Sequence, residues 1–268
     1  EIEEKSKKLA LGLNVKGLLN IQFAIKDEEL FILEANPRAS RTMPFVAKVT
    51  GNQIIKAGTL LMLGYSIDEV RNKTKYLSSS SNKVAIKKAI FPWSRFPAED
   101  TMLGPEMKAT GEVLGVGKEF GTALNKAYAA AGVEINNKEK GIFVTLSDSE
   151  KPNFIKTVNK YLELGFTLYS TEGTGKFLKT NGIDSVIVGK ADDLGQTSLT
   201  IIEDKLVSLV INTPTYANEL SDGWKIRRLS HETGVAVVSS VREADAFIEA
   251  FLNQNLVLDD LEVIQDVS

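Results

Sequence analysis

The sequence predicts an α/β protein in two parts: an antiparallel hairpin with helices, then a parallel sheet covered by helices on both faces. Three observations carry this. Two alternating apolar runs, Leu18 to Ile25 and Leu30 to Ala35, are separated only by the polar turn Lys26-Asp27-Glu28-Glu29. From Ile142 onward, short apolar strands alternate with helix-length segments, the pattern of a parallel sheet buried on both sides. Between the two patterns, Glu134-Ile135-Asn136-Asn137-Lys138-Glu139-Lys140 interrupts the apolar rhythm. The domain boundary is placed there, giving residues 1–134 and 135–268.

In chain order, Ile2, Leu9 and Leu13 among charges read as the interior of a helix, and Gly12 and Gly17 bracket its end. An opening on Glu1 in mid-helix reads as a piece cut from something longer. After the hairpin, Phe45 to Leu63 predicts one helix ended by Gly64. Ser78 to Asn82 predicts a loop, and Val84 to Phe91 a strand. Phe96 to Gly117 is dense in Pro and Gly and predicts mostly loop, before a helix from Glu119 to Ala131 ended by Gly132. Ile142 to Leu146 is the first strand of the second part, and Pro152 opens a helix that Gly165 ends. Phe166 to Tyr169 is a strand, and Thr174 to Thr180 a short helix stopped at Asn181-Gly182. Ser185 to Val188, Leu206 to Ile211 and Val235 to Val238 complete the strands, and Ser239 or Ser240 caps a last helix running to about Leu252.

Composition narrows the function classes. The 268 residues exceed one average core, and 43% hydrophobic with 25% charged residues is the balance of a globular protein. A net charge of −3, with both signs interleaved, argues against a surface for nucleic acid polymers or anionic membranes. The absence of cysteine excludes disulfides, thiolate metal sites and cysteine nucleophiles, and fits a reducing, cytoplasmic location. No apolar run approaches the ~20 residues of a membrane-spanning helix.

The hairpin carries the first candidate site. Strand alternation puts Leu19, Ile21, Phe23 and Ile25 on one face and Asn20, Gln22 and Ala24 on the other. On the second strand Phe31, Leu33 and Ala35 are expected inward, with Glu34 and Asn36 opposite. A three-residue loop, Asp27 to Glu29, would pair Gln22 with Glu34 and Asn20 with Asn36, gathering the polar side chains on one patch. Hard oxygen donors of this kind suit Mg²⁺ or Mn²⁺, while the same residues also read as an ordinary solvated face. Arg38 and Arg41 follow Pro37, where guanidinium groups can hold phosphate oxygens.

Asn20-Ile21-Gln22-Phe23-Ala24 and Leu33-Glu34-Ala35-Asn36-Pro37-Arg38-Ala39-Ser40-Arg41-Thr42 closely resemble the end of an ATP-grasp domain. The nearest likeness is the second such domain in the large subunit of glutamine-dependent carbamoyl-phosphate synthetases. Leu103-Gly104-Pro105-Glu106-Met107-Lys108-Ala109-Thr110-Gly111-Glu112-Val113 resembles a stretch that this family carries before its C-terminal domain. The resemblance implies an ATP-dependent ligase that phosphorylates carbamate and serves pyrimidine and arginine supply. It implies that Glu34 bridges two divalent ions, with Gln22 on one and Asn36 on the other, and that Arg38 and Arg41 lie near the transferred phosphoryl group. It also implies ATP with Mg²⁺ or Mn²⁺ as cofactors, two ions per site. A glutaminase small subunit is the implied partner, met mostly through residues outside this chain, and the chain alone is expected to be inactive. Homo-oligomers are possible in this reading.

The second candidate site is an anion seat. Thr171-Glu172-Gly173-Thr174-Gly175 lies between a strand and a helix, where free N–H groups and the helix dipole attract a phosphate. Thr145, Lys151, Lys190, Asn212 and Thr213 are predicted at the same C-terminal edge of the sheet, where open α/β sheets bind ligands. Each alone also reads as a cap or a solvated tip. Together they resemble the effector pocket of methylglyoxal-synthase-like domains, which implies a nucleotide effector such as UMP bound by Thr145, Lys151, Thr171, Gly173, Thr174, Lys190, Asn212 and Thr213. Pro214 replaces a threonine of some members, and Lys88 stands where others use a glutamate for ornithine, so ornithine activation is not expected. The strand from Leu206 to Ile211 is followed by Asn-Thr-Pro without a carboxylate, and Asp192 and Asp193 read as solvated. Binding without methylglyoxal chemistry is therefore expected. The rival readings are another ATP-grasp ligase and a stand-alone nucleotide sensor. His231 reads as a helix-end cap or surface residue, Gly115-Val116-Gly117 is no dinucleotide fingerprint, and Trp93 and Trp224 read as core edges or domain contacts rather than base-stacking rings.

Overall fold

The computed structural model describes residues 1–75, 83–96, 99–102, 107–135, 141–213 and 221–253. Two compact units divide between Asn82 and Lys83.

The first unit contains α1 (Ile2–Gly12), β1 (Asn20–Lys26), β2 (Glu29–Asn36), α2 (Thr42–Thr50), α3 (Ile54–Met62) and α4 (Ile67–Lys73). The hairpin turn has two residues, not three. Asp27 and Glu28 both take positive φ, 50° and 65°, and Lys26 pairs with Glu29. Such primed turns match the twist of the strands they join. Between the Phe23–Ile32 and Gln22–Glu34 pairs the register shifts, so Leu33 is the extra residue of a β-bulge. The expectation that Phe31 and Leu33 point inward is corrected: they are 42% and 59% exposed. The shorter turn puts Phe31 opposite Ala24, on the polar face, and the bulge takes Leu33 out of the ladder.

The single helix expected from Phe45 to Leu63 is two helices. Gly51 takes a left-handed φ of 69°, closing α2, and Thr50 Oγ1 donates back to the Val46 carbonyl at 2.8 Å. The sequence reading passed over α4. Its signal was a capping box: Glu69 N–H donates to Ser66 Oγ at 3.4 Å, and Ser66 N–H donates to the Glu69 carboxylate at 2.8 Å. Ser78 to Asn82 lie outside the described residues.

The second unit begins with β3 (Val84–Ile90), a 3-10 turn at Trp93–Arg95, β4 (Gly111–Gly117) and α5 (Phe120–Ala130). The loop expected across Phe96 to Gly117 thus ends in a strand, paired antiparallel to β3 from Val84–Gly117 to Ile90–Gly111. Its glycines make room for α5 rather than turns. A Cβ on Gly115 would stand 2.1 Å from the Ala123 carbonyl and 2.5 Å from Ala127 N.

The parallel sheet follows, with β5 (Gly141–Thr145), α6 (Lys151–Glu163), β6 (Leu168–Ser170), α7 (Glu172–Thr180), β7 (Val186–Ile187), α8 (Thr200–Glu203), β8 (Val207–Asn212), α9 (Asp222–Thr233), β9 (Ala236–Val238) and α10 (Val241–Leu252). Its order is β7-β6-β5-β8-β9, all parallel. Alternation sorts the strand side chains into two cores. Ile142, Val144, Leu209 and Ile211 join Phe154, Val158 and Tyr161 of α6 and Phe247 and Phe251 of α10. Phe143 and Val210 join Ile201, Ile202 and Ile226 on the other face. Burying each of these large side chains stabilises by roughly 1.5–3 kcal/mol. Tyr161 is fully buried, and its hydroxyl donates to the Ala244 carbonyl.

α5 is joined closely to α10. Asn125 Nδ2 donates to the Ala250 carbonyl at 2.7 Å, and a Cβ on Gly121 would stand 2.1 Å from the Glu249 carbonyl. This seam is why β3, β4 and α5 form one compact unit with the parallel sheet, so the compact division precedes the polar stretch 134–140. Residues 136–140 lie outside the described residues. No helix among the described residues is long and apolar enough to cross a membrane.

Candidate functional site

The hairpin places Gln22 opposite Glu34 and Asn20 opposite Asn36. Directly opposed residues of an antiparallel pair share a face, so the four polar side chains stand on one side of the ribbon. Gln22 and Glu34 are exposed, and Asn20 and Asn36 half-buried. Asn20 Nδ2 donates to Ser40 Oγ at 3.4 Å, linking the patch to the chain that leaves β2. On that chain Arg38 N–H donates to the Asn36 carbonyl at 2.8 Å, and the exposed Arg38 guanidinium donates to the Ala39 carbonyl at 3.2 Å. Arg41 is the N-cap residue of α2. Gln22, Glu34 and Asn36 are therefore brought together, with both arginines on the following segment.

This donor set fits a hard divalent ion: one carboxylate and two carboxamide oxygens, with no sulfur or imidazole. Among the described residues there is no cluster of three or more His, Cys, Asp or Glu side chains. A single Glu34 charge cannot neutralise two divalent ions, so phosphate oxygens would have to supply the remaining negative charge.

The second site sits where the strand order reverses, between β5 and β8. Thr145 ends β5, Ser170 ends β6 with Thr171 after it, and Asn212 ends β8 with Thr213 after it. α7 begins at Glu172, two residues earlier than the sequence pattern indicated, because Thr171 in an extended conformation is its N-cap. Gly173 and Thr174 thereby fall in the first turn, where backbone N–H groups lack helical partners.

Hydroxyls tie these loops together. Leu146 N–H donates to Thr174 Oγ1 at 3.1 Å, and Ser147 N–H donates to Thr213 Oγ1 at 2.8 Å. Thr171 Oγ1 lies 3.4 Å from Thr145 Oγ1 and 3.3 Å from Thr174 Oγ1. Thr213 N–H donates to the Thr145 carbonyl at 3.1 Å. Thr145, Thr171, Thr174, Asn212 and Thr213 thus form one edge. Lys151 opens α6 and meets Asp148 at 2.5 Å, holding the Asp148 carboxyl below its ordinary range. Asp148 is 94% exposed, so an incoming anion competes with it at little cost. Lys190 is exposed after β7, its backbone N–H donating to Asp193 Oδ2 at 2.7 Å. Asp192 pairs with Lys225 at 2.6 Å. Asp193 is thus occupied within its own loop and Asp192 by a lysine of α9. Pro214 lies outside the described residues.

The sequence reading missed a buried charge network behind this edge. Arg227 of α9, only 3% exposed, donates from NH1 to Asn212 Oδ1 at 2.7 Å. Its Nε and NH2 grip the Asp100 carboxylate at 2.6–3.1 Å. A buried arginine demands such partners, and two consecutive arginines on the inward side of a helix were the available signal.

Comparison with known proteins matches residues 1–70 to the family "Carbamoyl-phosphate synthase L chain, ATP binding domain" and residues 153–239 to the "MGS-like domain". The Aquifex aeolicus protein named "Carbamoyl phosphate synthase large chain, C-terminal section" is 38% identical over 264 residues, covering 93% of this chain and 49% of its own length. The chain is a relative of the C-terminal part of carbamoyl phosphate synthase large chains. The Methanocaldococcus jannaschii "Carbamoyl phosphate synthase large chain, C-terminal section" is 39% identical, covering 91% of this chain and 40% of that protein. The Archaeoglobus fulgidus "Carbamoyl phosphate synthase large chain" is 39% identical over 271 residues, covering all of this chain and 25% of that protein. The chain therefore spans half or less of these carbamoyl phosphate synthase relatives. The ATP binding domain match contains the hairpin patch, and the MGS-like match contains Thr171, Gly173, Thr174, Lys190, Asn212 and Thr213.

Proposed function

We propose that this chain is the C-terminal working part of a carbamoyl phosphate synthase large chain. Residues 1–134 contribute one wall of an ATP-dependent, carbamate-phosphorylating site, and residues 135–268 form a nucleotide-effector domain. The whole enzyme would draw on ATP, bicarbonate and ammonia from a glutaminase small subunit, supplying pyrimidine and arginine synthesis in the cytoplasm.

The observation that carries the ligase reading is the register that sets Gln22 against Glu34 and Asn20 against Asn36. Glu34 would hold two Mg²⁺ or Mn²⁺ ions, with Gln22 on one and Asn36 on the other. The ions, with bound ATP, supply charge neutralisation for phosphoryl transfer. Arg38 and Arg41 bind and orient the phosphoryl oxygens. For the effector domain, support comes from the hydroxyl-linked edge at the strand reversal. There the first-turn N–H groups of α7, with Thr174, would seat a phosphate, and Lys151 and Lys190 would add charge. UMP is the effector this reading favours.

The patch is tested by Mn²⁺ titration of the chain in the presence of ATP. Glu34→Ala should weaken the response at least roughly tenfold, one lost charged ligand being worth more than 1.4 kcal/mol. An unchanged titration refutes the metal site. The chain alone should make no carbamoyl phosphate from ATP, bicarbonate and ammonia. The effector edge is tested by calorimetry with UMP and IMP.

A further inference from the structure

Asn212 ends β8 at the proposed effector edge, and its carboxamide is ambidextrous: one side accepts hydrogen bonds and the other donates. The residue behind it removes that ambiguity. Arg227 has donors only, so the Asn212 oxygen must face it, at 2.7 Å from NH1. The amide N–H pair then faces away from Arg227. Arg227 is itself fixed from the other side. The Asp100 carboxylate takes both Nε and NH2, with contacts of 2.6, 3.0 and 3.1 Å, and one of its oxygens also accepts from Met102 N–H at 3.0 Å.

The neighbouring Arg228 is held to the same stretch of chain. It is 6% exposed, donates from NH1 to the Phe96 carbonyl at 2.8 Å, and pairs with Glu232 at 2.6 Å. α9 passes close over this network. A Cβ on Gly223 would stand 3.1 Å from Arg227 NH1 and 3.5 Å from Asn212 Nδ2. A glycine in the first turn of α9 leaves the guanidinium and the carboxamide room to lie in register.

We propose that Asp100, acting through Arg227, is a positioning residue that locks the Asn212 carboxamide so its N–H donors serve the effector edge. Asp100 touches no ligand in this arrangement. Through Arg227 it makes Asn212 select a group that accepts hydrogen bonds, such as a carbonyl oxygen, ring nitrogen or phosphoryl oxygen. It also ties occupancy of the edge to the 99–102 segment, which lies outside the parallel-sheet fold. This inference rests on the effector reading above for its ligand, but not for the orientation of Asn212.

The two are tested separately on the full 268-residue chain. First, hydrogen exchange of the Asn212 side-chain amide is followed by ¹⁵N–¹H spectroscopy without ligand, the signal being identified by its disappearance in Asn212→Asp. Asp100→Asn, which keeps the shape and one acceptor, should speed that exchange roughly tenfold. An unchanged rate overturns the positioning role. Second, UMP and IMP affinities are measured by calorimetry for wild type, Asp100→Asn, Asn212→Ala and the double variant. Asp100→Asn should weaken binding about fivefold to tenfold alone and less than about twofold in the Asn212→Ala background. Equal weakening in both backgrounds overturns the route through Asn212. Failure of the wild type to bind either nucleotide refutes the effector reading, while the Asn212 orientation still stands or falls on the exchange rate.

Discussion

Gln22 and Glu34 face each other across the hairpin although the turn joining their strands is one residue shorter than that pairing requires. The bulged Leu33 makes up the difference. The polar patch therefore owes its register to two compensating irregularities, a short turn and a bulge. Deleting Leu33 removes the bulge but still leaves Gln22 opposite Glu34. Its Mn²⁺ titration with ATP should match wild type within about twofold, whereas inserting one residue after Glu34 should abolish the response by moving Asn36 to the other face.

The turn itself is strained by its side chains. Glu28 holds a φ of 65°, a region that costs an ordinary L-residue about 1 kcal/mol or more. Glu28→Gly completes an Asp-Gly turn and should stabilise the hairpin by about 1 kcal/mol, read as slower hydrogen exchange of the β1 and β2 amides.

Gly115→Ala should be among the most damaging single-methyl changes in the chain. Its Cβ would meet backbone of α5 at 2.1 Å and 2.5 Å, and neither partner is a flexible side-chain end. A loss of about 3 kcal/mol in denaturant unfolding of the second unit is expected. Gly111→Ala, with nothing nearer than 3.7 Å, is the matched control and should cost about 1 kcal/mol or less.

Thr174 is 2% exposed and accepts the Leu146 N–H. Thr174→Ala leaves that buried donor unpaired and should cost about 1–3 kcal/mol of stability, together with loss of UMP binding. Thr174→Ser keeps the hydroxyl and should retain most of both. Loss of nucleotide binding in the serine variant as well would point to methyl packing instead.

His231, in the last turn of α9, is held below its ordinary value of 6.5. Packing is the first cause, followed by the positive charges of Lys88, Arg228 and Arg227. The folded chain thus binds this proton less readily than the unfolded chain. The associated stability is full above pH 6.5 and declines as pH falls toward about 4. The residue keeps contact with water, so the slope should be shallow. His231→Gln should flatten the pH dependence of Tm across that window.

The parallel sheet was legible because its strands are short, continuous apolar runs bounded by turn residues and alternating with helix-length segments. The hairpin patch was legible for a related reason: Gln22 and Glu34 interrupt apolar alternation at matching places. Other features escaped because their signals are tertiary. Gly115 and Gly117 look like loop residues until α5 is seen lying on them. Gly51 splits an otherwise apolar helical stretch by its conformation, which composition does not reveal. Asp100 and Arg227 are separated by 127 residues, and nothing local marks either as the other's partner.

The α5–α10 seam decides where this protein can be divided. A chain beginning after residue 135 would strip the Ala250 carbonyl of its amide donor and lay bare the narrow groove that Gly121 fits. It would also strand the buried Arg227 without its counter-ion. A self-standing second unit has to be cut at Lys83, carrying its β3–β4–α5 bracket with it.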